Sequence, residues 1–358
     1  MPTHRFGVLH GDGIGPEIVP PTQRAMEAAA AAVGAEDIEW VELPSGFAGL
    51  DAAGDTLPDD THAMLGTLDA WVVGPHDSSG YPEPWVRRLS PHARLRREYG
   101  LYANLRPARN IPGVTGVVSD MDLVIVRENS EGFYADNAMH DGSGQFMPAP
   151  DLALSVAVFS DRAGRRIARR AFELARLRRG RVTVVHKALL KASLGRYLRI
   201  AEELSAEYPD VELQEVHIDA CTVYLVRDPG RFDVLLTENM HGDILSDLAG
   251  ELAGALGMAP SLNASDERAM AQAAHGCAPD IAGQGIANPV GMMRSGALLL
   301  RWLGGRAGTE AYGPAADVLE SAVLSALADG HGTRDLRRGE GTEEFAAAVL
   351  ARIAPTAA

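Results

Sequence analysis

An α/β fold built on a largely parallel sheet is what this sequence predicts, on three observations. Short apolar runs of strand character alternate with segments of helical period along the chain. The opening reads as strand, glycine-rich turn and helix. Apolar residues make up 46% and charged residues 23% of 358, enough for one large core or two medium ones, which excludes disorder, collagen and coiled coil.

In order, Arg5–His10 reads as a strand, Gly11–Gly15 as the turn, and Pro16 opens a helix running through the alanines to Val33, since proline suits a first helical turn. Further strands are expected at Ile38–Leu43, Ala70–Val73, Leu123–Val126, Arg181–His186, Val211–Ile218 and Val234–Thr237. Helical periodicity marks Asp161–Arg178, Leu190–Tyr208, Ile244–Leu256, Asn288–Leu303, Gly313–Ala328 and Thr342–Ile353. The length exceeds one ordinary domain, so two are expected. Glycine and proline clusters at Asn110–Gly113 and Gly254–Pro260 are the boundary signals, placing both chain ends in one domain and the middle in the other. A stretch rich in glycine and proline, Asp136–Pro150, reads as an arm or insertion.

The net charge of −15 repels polyanions, so nucleic acid is not an expected partner. No apolar run approaches the ~20 residues that a bilayer helix needs, so no membrane is expected either. Two cysteines, Cys221 and Cys277, make no disulfide framework, and no secretory signal is visible, so a cytoplasmic setting is the expectation. Of 33 basic residues only two are lysines, Lys187 and Lys191. Arginine keeps its proton under working conditions, whereas a partly buried lysine can release one. Lys187 is therefore a candidate base, or else an ordinary surface lysine.

The turn Gly11-Asp12-Gly13-Ile14-Gly15 hints at a dinucleotide fingerprint, but Pro16 stands where a third glycine belongs and no ribose-binding acid follows the next strand. It reads better as a tight connection. After the strand Val234–Thr237, Asp243 and Asp247 lie four apart at a helix start, on one face. There they suit Mg²⁺ or Mn²⁺, or else a cap and a solvated face. Arg127, at the end of a buried strand, suits capture of a carboxylate, or a salt bridge to Glu128 or Glu131. Nine arginines between 162 and 181 surround a helix whose other face is apolar, and read as its solvated side. Residues 275–285 form a glycine-rich loop whose N–H groups suit a phosphate. Cys277, with no partner at metal spacing, reads as a small filler.

Six phrases in this order, GDGIGPE (11–17), LYANLRP (101–107), VRENSEGFY (126–134), HKALLK (186–191), TENMHGDILSD (237–247) and HGCAPDIAGQGIANP (275–289), resemble the β-decarboxylating dehydrogenases. That family includes the isopropylmalate, isocitrate, homoisocitrate and tartrate or D-malate enzymes. The resemblance implies an isopropylmalate dehydrogenase-like two-domain open-sheet fold, distinct from a standard Rossmann fold, with the active site in the cleft. It implies a cofactor domain at 1–100 plus 255–358. A dimerisation and metal domain would take 101–254, with an arm near 136–158. The implied reaction is NAD- and metal-dependent oxidative decarboxylation of a 3-substituted malate by a homodimer. Arg96, Arg106 and Arg127 would hold carboxylates, and Asp243, Asp247 and a second chain's Asp219 would ligate Mg²⁺ or Mn²⁺. Lys187, also from across the dimer, would take the hydroxyl proton, and Tyr134 would protonate C3. His275, Gly276, Ala278, Pro279, Asp280 and Ile281 would surround the adenosine and phosphates, with Asn288 at the adenine. Asp280 and Ile281, where NADP users tend to carry Lys and Tyr, favour NAD.

Several positions depart from the family pattern. Leu189 stands where Asn is usual beside the nicotinamide, Gln272 where an acid is common and Gln284 where Lys is common. Ser90 and His92 fall in the segment that reads the substituent on C3, and together with VRENSEG they suit a polar group at least as well as an isopropyl one. A tartrate or D-malate enzyme, and a non-catalytic regulatory subunit, are the alternatives; Leu189 favours the second.

Overall fold

The computed structural model describes residues 4–35, 37–134, 139 and 144–353. Two compact units emerge, one holding residues up to Leu95, Ile111–Thr115 and the part from Gly254 on, the other Arg96–Asn110 and Gly116–Ala253.

The first unit starts with β1 (His4–Leu9), α1 (Gly15–Ala32), β2 (Ile38–Glu42), α2 (Phe47–Ala53), α3 (Asp59–Leu65) and β3 (Ala70–Val73). Helix α4 (Pro91–Glu98) then carries the chain into the second unit. There the chain forms β4 (Ala103–Arg109), β5 (Asp122–Glu128), the hairpin β6 (Gln145–Ala149) and β7 (Leu152–Ser155), α5 (Asp161–Arg176), β8 (Arg181–His186) and α6 (Gly195–Ser205). Then come β9 (Glu212–His217), α7 (Ile218–Arg227), β10 (Val234–Thr237) and α8 (Asn239–Ala253). Back in the first unit, β11 (Leu262–Ala264) and β12 (Ala269–Ala271) precede α9 (Val290–Gly304), α10 (Tyr312–Ala328) and α11 (Thr342–Leu350).

Strands of the first unit run in the order β2-β1-β3-β12-β11, parallel except where β11 and β12 form a hairpin. Those of the second run β4-β5-β10-β8-β9, parallel except for β4. Alternation along β5 feeds two cores. Val124 and Val126 face the layer of α5 and α6 around Phe172 and Ile200, while Leu123 and Ile125 face α7 and α8 around Leu225 and Leu245. Each such side chain, fully buried, contributes about 1.5–3 kcal/mol. Burial on both faces explains why β5, β8 and β10 read as continuous apolar runs in the sequence.

Some expectations are corrected. Helix α8 starts at Asn239 instead of Ile244, because Glu238 accepts the N–H groups of Met240 and His241 and caps a turn earlier. Helix α6 starts at Gly195 instead of Leu190, after a series of turns. The arginines flanking α5 are not simply solvated: Arg165, Arg176, Arg178 and Arg181 pair with Glu203, Asp210, Asp233 and Glu212, and Arg166 reaches the buried Glu128. Part of the expected arm, residues 136–138 and 140–143, lies outside the described residues; its remainder forms the hairpin β6–β7.

Candidate active site

In open α/β sheets ligands bind beyond the carboxyl ends of the strands. At that edge of the second unit Arg127 of β5 is in register with Thr237 of β10, and Thr237 with Val185 of β8. Glu128 ends β5, Glu238 and Lys187 stand just past β10 and β8, and α8 leaves from Glu238. Helix α8 lies directly on β5 because residue 242 is glycine. A Cβ there would sit 2.6–2.7 Å from the Arg127 stem.

Three guanidiniums converge on this edge. Arg106 from β4 and Arg127 from β5 are buried. Arg127 sends Nε and Nη2 to Asn239 Oδ1, at 2.9 and 2.6 Å, and Nη1 to Asp243. Arg106 Nη1 reaches Ser246 Oγ at 2.6 Å and the carboxylates of Asp243 and Asp247 at 3.2 and 3.3 Å. Burial, then repulsion from Arg127 and Arg106, pulls Arg96 of α4 down to about 9, and burial with Arg127 nearby brings Arg106 to about 10. At neutral pH Arg96 and Arg106 keep their charge, and the three guanidiniums outnumber the two carboxylates by one. Such a cluster can receive an anion. Of the alternatives for Arg127, a salt bridge to Glu128 or Glu131 is not what forms; Asp243 is its acid.

Asp243 and Asp247 share one face of α8, both directed at the same cation, Arg106 Nη1. Burial alone would raise the Asp243 carboxyl, but Arg127, Arg106 and a hydrogen bond from Tyr134 hold it below its usual range. Burial raises Asp247 instead. Tyr134 donates its hydroxyl to Asp243 Oδ2 at 2.5 Å, and burial together with that bond pushes it up to about 12, so it stays protonated and able to donate.

Lys187 is paired elsewhere. Its Nζ lies 2.9 Å from Asp219 Oδ2 in the first turn of α7, and this bond depresses the Asp219 carboxyl. Within a single chain the sequence-expected residues thus form two groups, the arginines with Asp243, Asp247 and Tyr134, and Lys187 with Asp219. Among the described residues no three potential metal ligands of one chain come together. The hard oxygens of Asp243 and Asp247 suit a divalent ion but supply only part of its shell. Sequence reasoning missed Ser246 and the role of Asn239, whose signal was their place between and before the two aspartates.

In the first unit the Gly11–Gly15 turn docks on the glycine-rich loop. Ile14 N–H donates to Cys277 O at 2.8 Å, and Gly283 N–H to Glu17 Oε1 at 2.5 Å. A Cβ on Gly13, at φ +58°, would lie 2.0 Å from the Cys277 oxygen. Asp12 accepts from the backbone of Phe47 and Asp77 and from the Tyr81 hydroxyl, so the turn is a structural junction. His275 holds Nδ1 against Gly276 O and leaves Nε2 buried without a partner, and burial lowers its pKa. Asn288 binds Asp335 and the start of α9, while Pro279 and Asp280 are exposed beside Ala278 and Ile281. Gln284 donates to Asp280 O, Gln272 is buried, and Leu189, in the second unit, is 75% exposed. Ser90 bonds His92 at 3.0 Å at the start of α4.

Residues 5–349 match the family model described as isocitrate/isopropylmalate dehydrogenase. The chain belongs to that family. It is 38% identical to an isocitrate/homoisocitrate dehydrogenase of Thermus thermophilus over 349 residues, 97% of this chain and 98% of the relative. A 3-isopropylmalate dehydrogenase of Archaeoglobus fulgidus is 38% identical over 351 residues, again 97% and 98%. The crystal structure of isocitrate dehydrogenase from Methylococcus capsulatus superposes with a TM-score of 0.87 at 37% identity, covering 98% of this chain and 99% of that one. The fold is therefore isopropylmalate dehydrogenase-like, and the protein is a decarboxylating dehydrogenase acting on a hydroxy acid.

Proposed function

We propose that the protein catalyses NAD- and metal-dependent oxidative decarboxylation of a 3-substituted malate. The observation that carries this reading is the convergence of three arginines with Asp243 and Asp247 at one strand edge. Arg96, Arg106 and Arg127 bind and orient the malate carboxylates, their one excess positive charge offsetting half of the dianion's charge. Asp243 and Asp247 of one chain with Asp219 of a second copy would hold the ion. When bound, Mg²⁺ or Mn²⁺ supplies Lewis-acid polarisation of the C2 oxygen and NAD supplies the hydride acceptor.

With Asp219 engaged elsewhere, Lys187 in its deprotonated form, its own proton having passed to solvent, would take the C2 hydroxyl proton. After CO₂ leaves C3, the Tyr134 hydroxyl donates a proton there. His275, Gly276, Ala278, Pro279, Asp280, Ile281 and Asn288 would line the adenosine side, where the free Nε2 of His275 still needs a partner. The exposed Asp280 carboxylate disfavours a 2′-phosphate and so supports NAD.

The split of the site and the surface chemistry support reading the protein as a homodimer. Helix α7 packs on α8, and together they leave Val223, Val226 and Ile244 each at least half exposed. The hairpin β6–β7 adds exposed Phe146, Met147, Leu152 and Leu154. A reducing, cytoplasmic setting fits two unpaired cysteines. The test is NADH formation by the purified protein on substituted malates with Mg²⁺ or Mn²⁺. EDTA abolishes it if the reading holds, and Lys187→Met abolishes it while NAD still binds; normal turnover after either treatment would refute it.

A further inference from the structure

Within the second unit, residues 130–134 lead from the end of β5 to Tyr134, and three ties fix this segment against residues 158–160 at the entry to α5. Gly132 and Val158 exchange backbone bonds, N–H to O, at 2.8 and 3.2 Å. Phe133 meets the ring of Phe159 edge to face, with centroids 5.6 Å apart. The buried Glu131 accepts the Ser160 N–H on Oε2 at 2.7 Å and the Ser160 hydroxyl on Oε1 at 2.6 Å. That hydroxyl itself accepts from Ala163 N–H as the N-cap of α5, which leaves its proton to Glu131.

The main chain of the same residue serves the arginine. Glu131 O accepts from Asn239 Nδ2 at 2.9 Å, while Asn239 Oδ1 accepts from both Nε and Nη2 of Arg127. The amide is thus held at both ends, its oxygen fixed toward Arg127 because its nitrogen is anchored on Glu131. We propose that Glu131 is a positioning residue for the reaction. Clamped to Ser160, it holds the Asn239–Arg127 pair through its carbonyl, and it holds the Tyr134 hydroxyl beside Asp243 through the segment that follows it. This rests on the roles read above for Arg127 and Tyr134. Glu131 acts through these two groups, and a displacement of about 1 Å in either can cost about 100-fold in rate.

The experiment follows NADH formation with Mg²⁺ for wild type, Glu131→Ala, Glu131→Gln, Ser160→Ala and the Glu131→Ala/Ser160→Ala double variant. The substrate is whichever of isocitrate, 3-isopropylmalate and D-malate wild type turns over fastest, at a temperature well below every Tm. Glu131→Ala is expected to lower kcat/KM for the hydroxy acid by about 30- to 100-fold, raising its KM and lowering kcat, while KM for NAD changes less than about twofold. Glu131→Gln keeps one oxygen for the Ser160 N–H and should lose no more than about tenfold. The double variant should lose no more than about twice what Glu131→Ala loses, because the two side chains act as one unit. Glu131→Ala activity within about threefold of wild type, whatever its Tm, would reduce the residue to a structural role and overturn the proposal. Losses that multiply in the double variant, or a KM for NAD that rises along with that of the hydroxy acid, overturn it too. If wild type forms no NADH from any of the three substrates, the reaction class itself fails and the proposal with it, an outcome distinct from the others. Should Glu131→Ala not fold, a loss of about 3- to 10-fold in both Glu131→Gln and Ser160→Ala with KM for NAD unmoved supports the clamp, and no loss in either overturns it.

Discussion

Asp243→Asn separates what Asp243 does for stability from what it does for chemistry. The substitution keeps shape and removes one charge beside Arg106 and Arg127, whose side chains are 7% and 4% exposed. Breaking a fully buried ion pair costs about 3–5 kcal/mol. Here the loss is smaller: Arg127 keeps both bonds to Asn239, Arg106 keeps Ser246, Asn104 and Asp247, and the Asp243 side chain is 34% exposed, so solvent screens it. About 1–2 kcal/mol is expected, a drop in Tm of only a few degrees for a protein of this size. Activity should fall by about 10³-fold or more, since the proposed metal ligand and the Tyr134 acceptor go together. Calorimetry and NADH absorbance measure the two effects on one preparation, and added Mn²⁺ should stabilise wild type but not the variant. A variant within tenfold of wild-type kcat/KM would refute the placement of Asp243. The sign of its pH effect is also fixed. A depressed carboxyl stabilises the fold above its unfolded value near 4, and this is lost as pH falls through the folded value, so Asp243→Asn should flatten the acid limb of the stability curve.

Gly242→Ala should cost both stability and kcat, because the new Cβ displaces the Arg127 stem from 2.6 Å; unchanged KM and Tm would show that α8 can move aside. Tyr134→Phe removes the proposed proton donor and should lower kcat by about 10²–10⁴-fold with little change in substrate KM, measured by initial rates. For His76 the unfolded ring binds a proton near 6.5 and the folded one only near 4. Stability therefore falls by up to about 3 kcal/mol as pH drops between these values, and His76→Asn should remove that slope in urea melts.

Strands buried on both faces were legible in the sequence because their apolar runs carry no competing signal: β3, β8 and β10 match their expected residues end to end. Helix α4 was not, since Pro91–Glu98 buries only Pro91 and Leu95 amid arginines. Strand β4 was hidden by Pro107, which its antiparallel pairing to β5 tolerates, and α7 by β-branched residues running on from β9. At the site, residue types and spacing on α8 were readable. That Arg127 chooses Asp243 over its sequence neighbours, and that Ser45 and His76 meet His92, depends on tertiary approach between residues far apart in the chain.

The division of the site between two chains is tested most directly by mixing Lys187→Met with Asp243→Asn after unfolding and refolding the two together. Each alone is expected to be dead. In a two-fold dimer, a mixed pair rebuilds one intact site from the lysine of one chain and the aspartates of the other, so random assortment should return about one quarter of wild-type activity. A mixture that assembles into hybrid dimers and stays inactive would mean that Lys187 and Asp243 serve one site within a single chain.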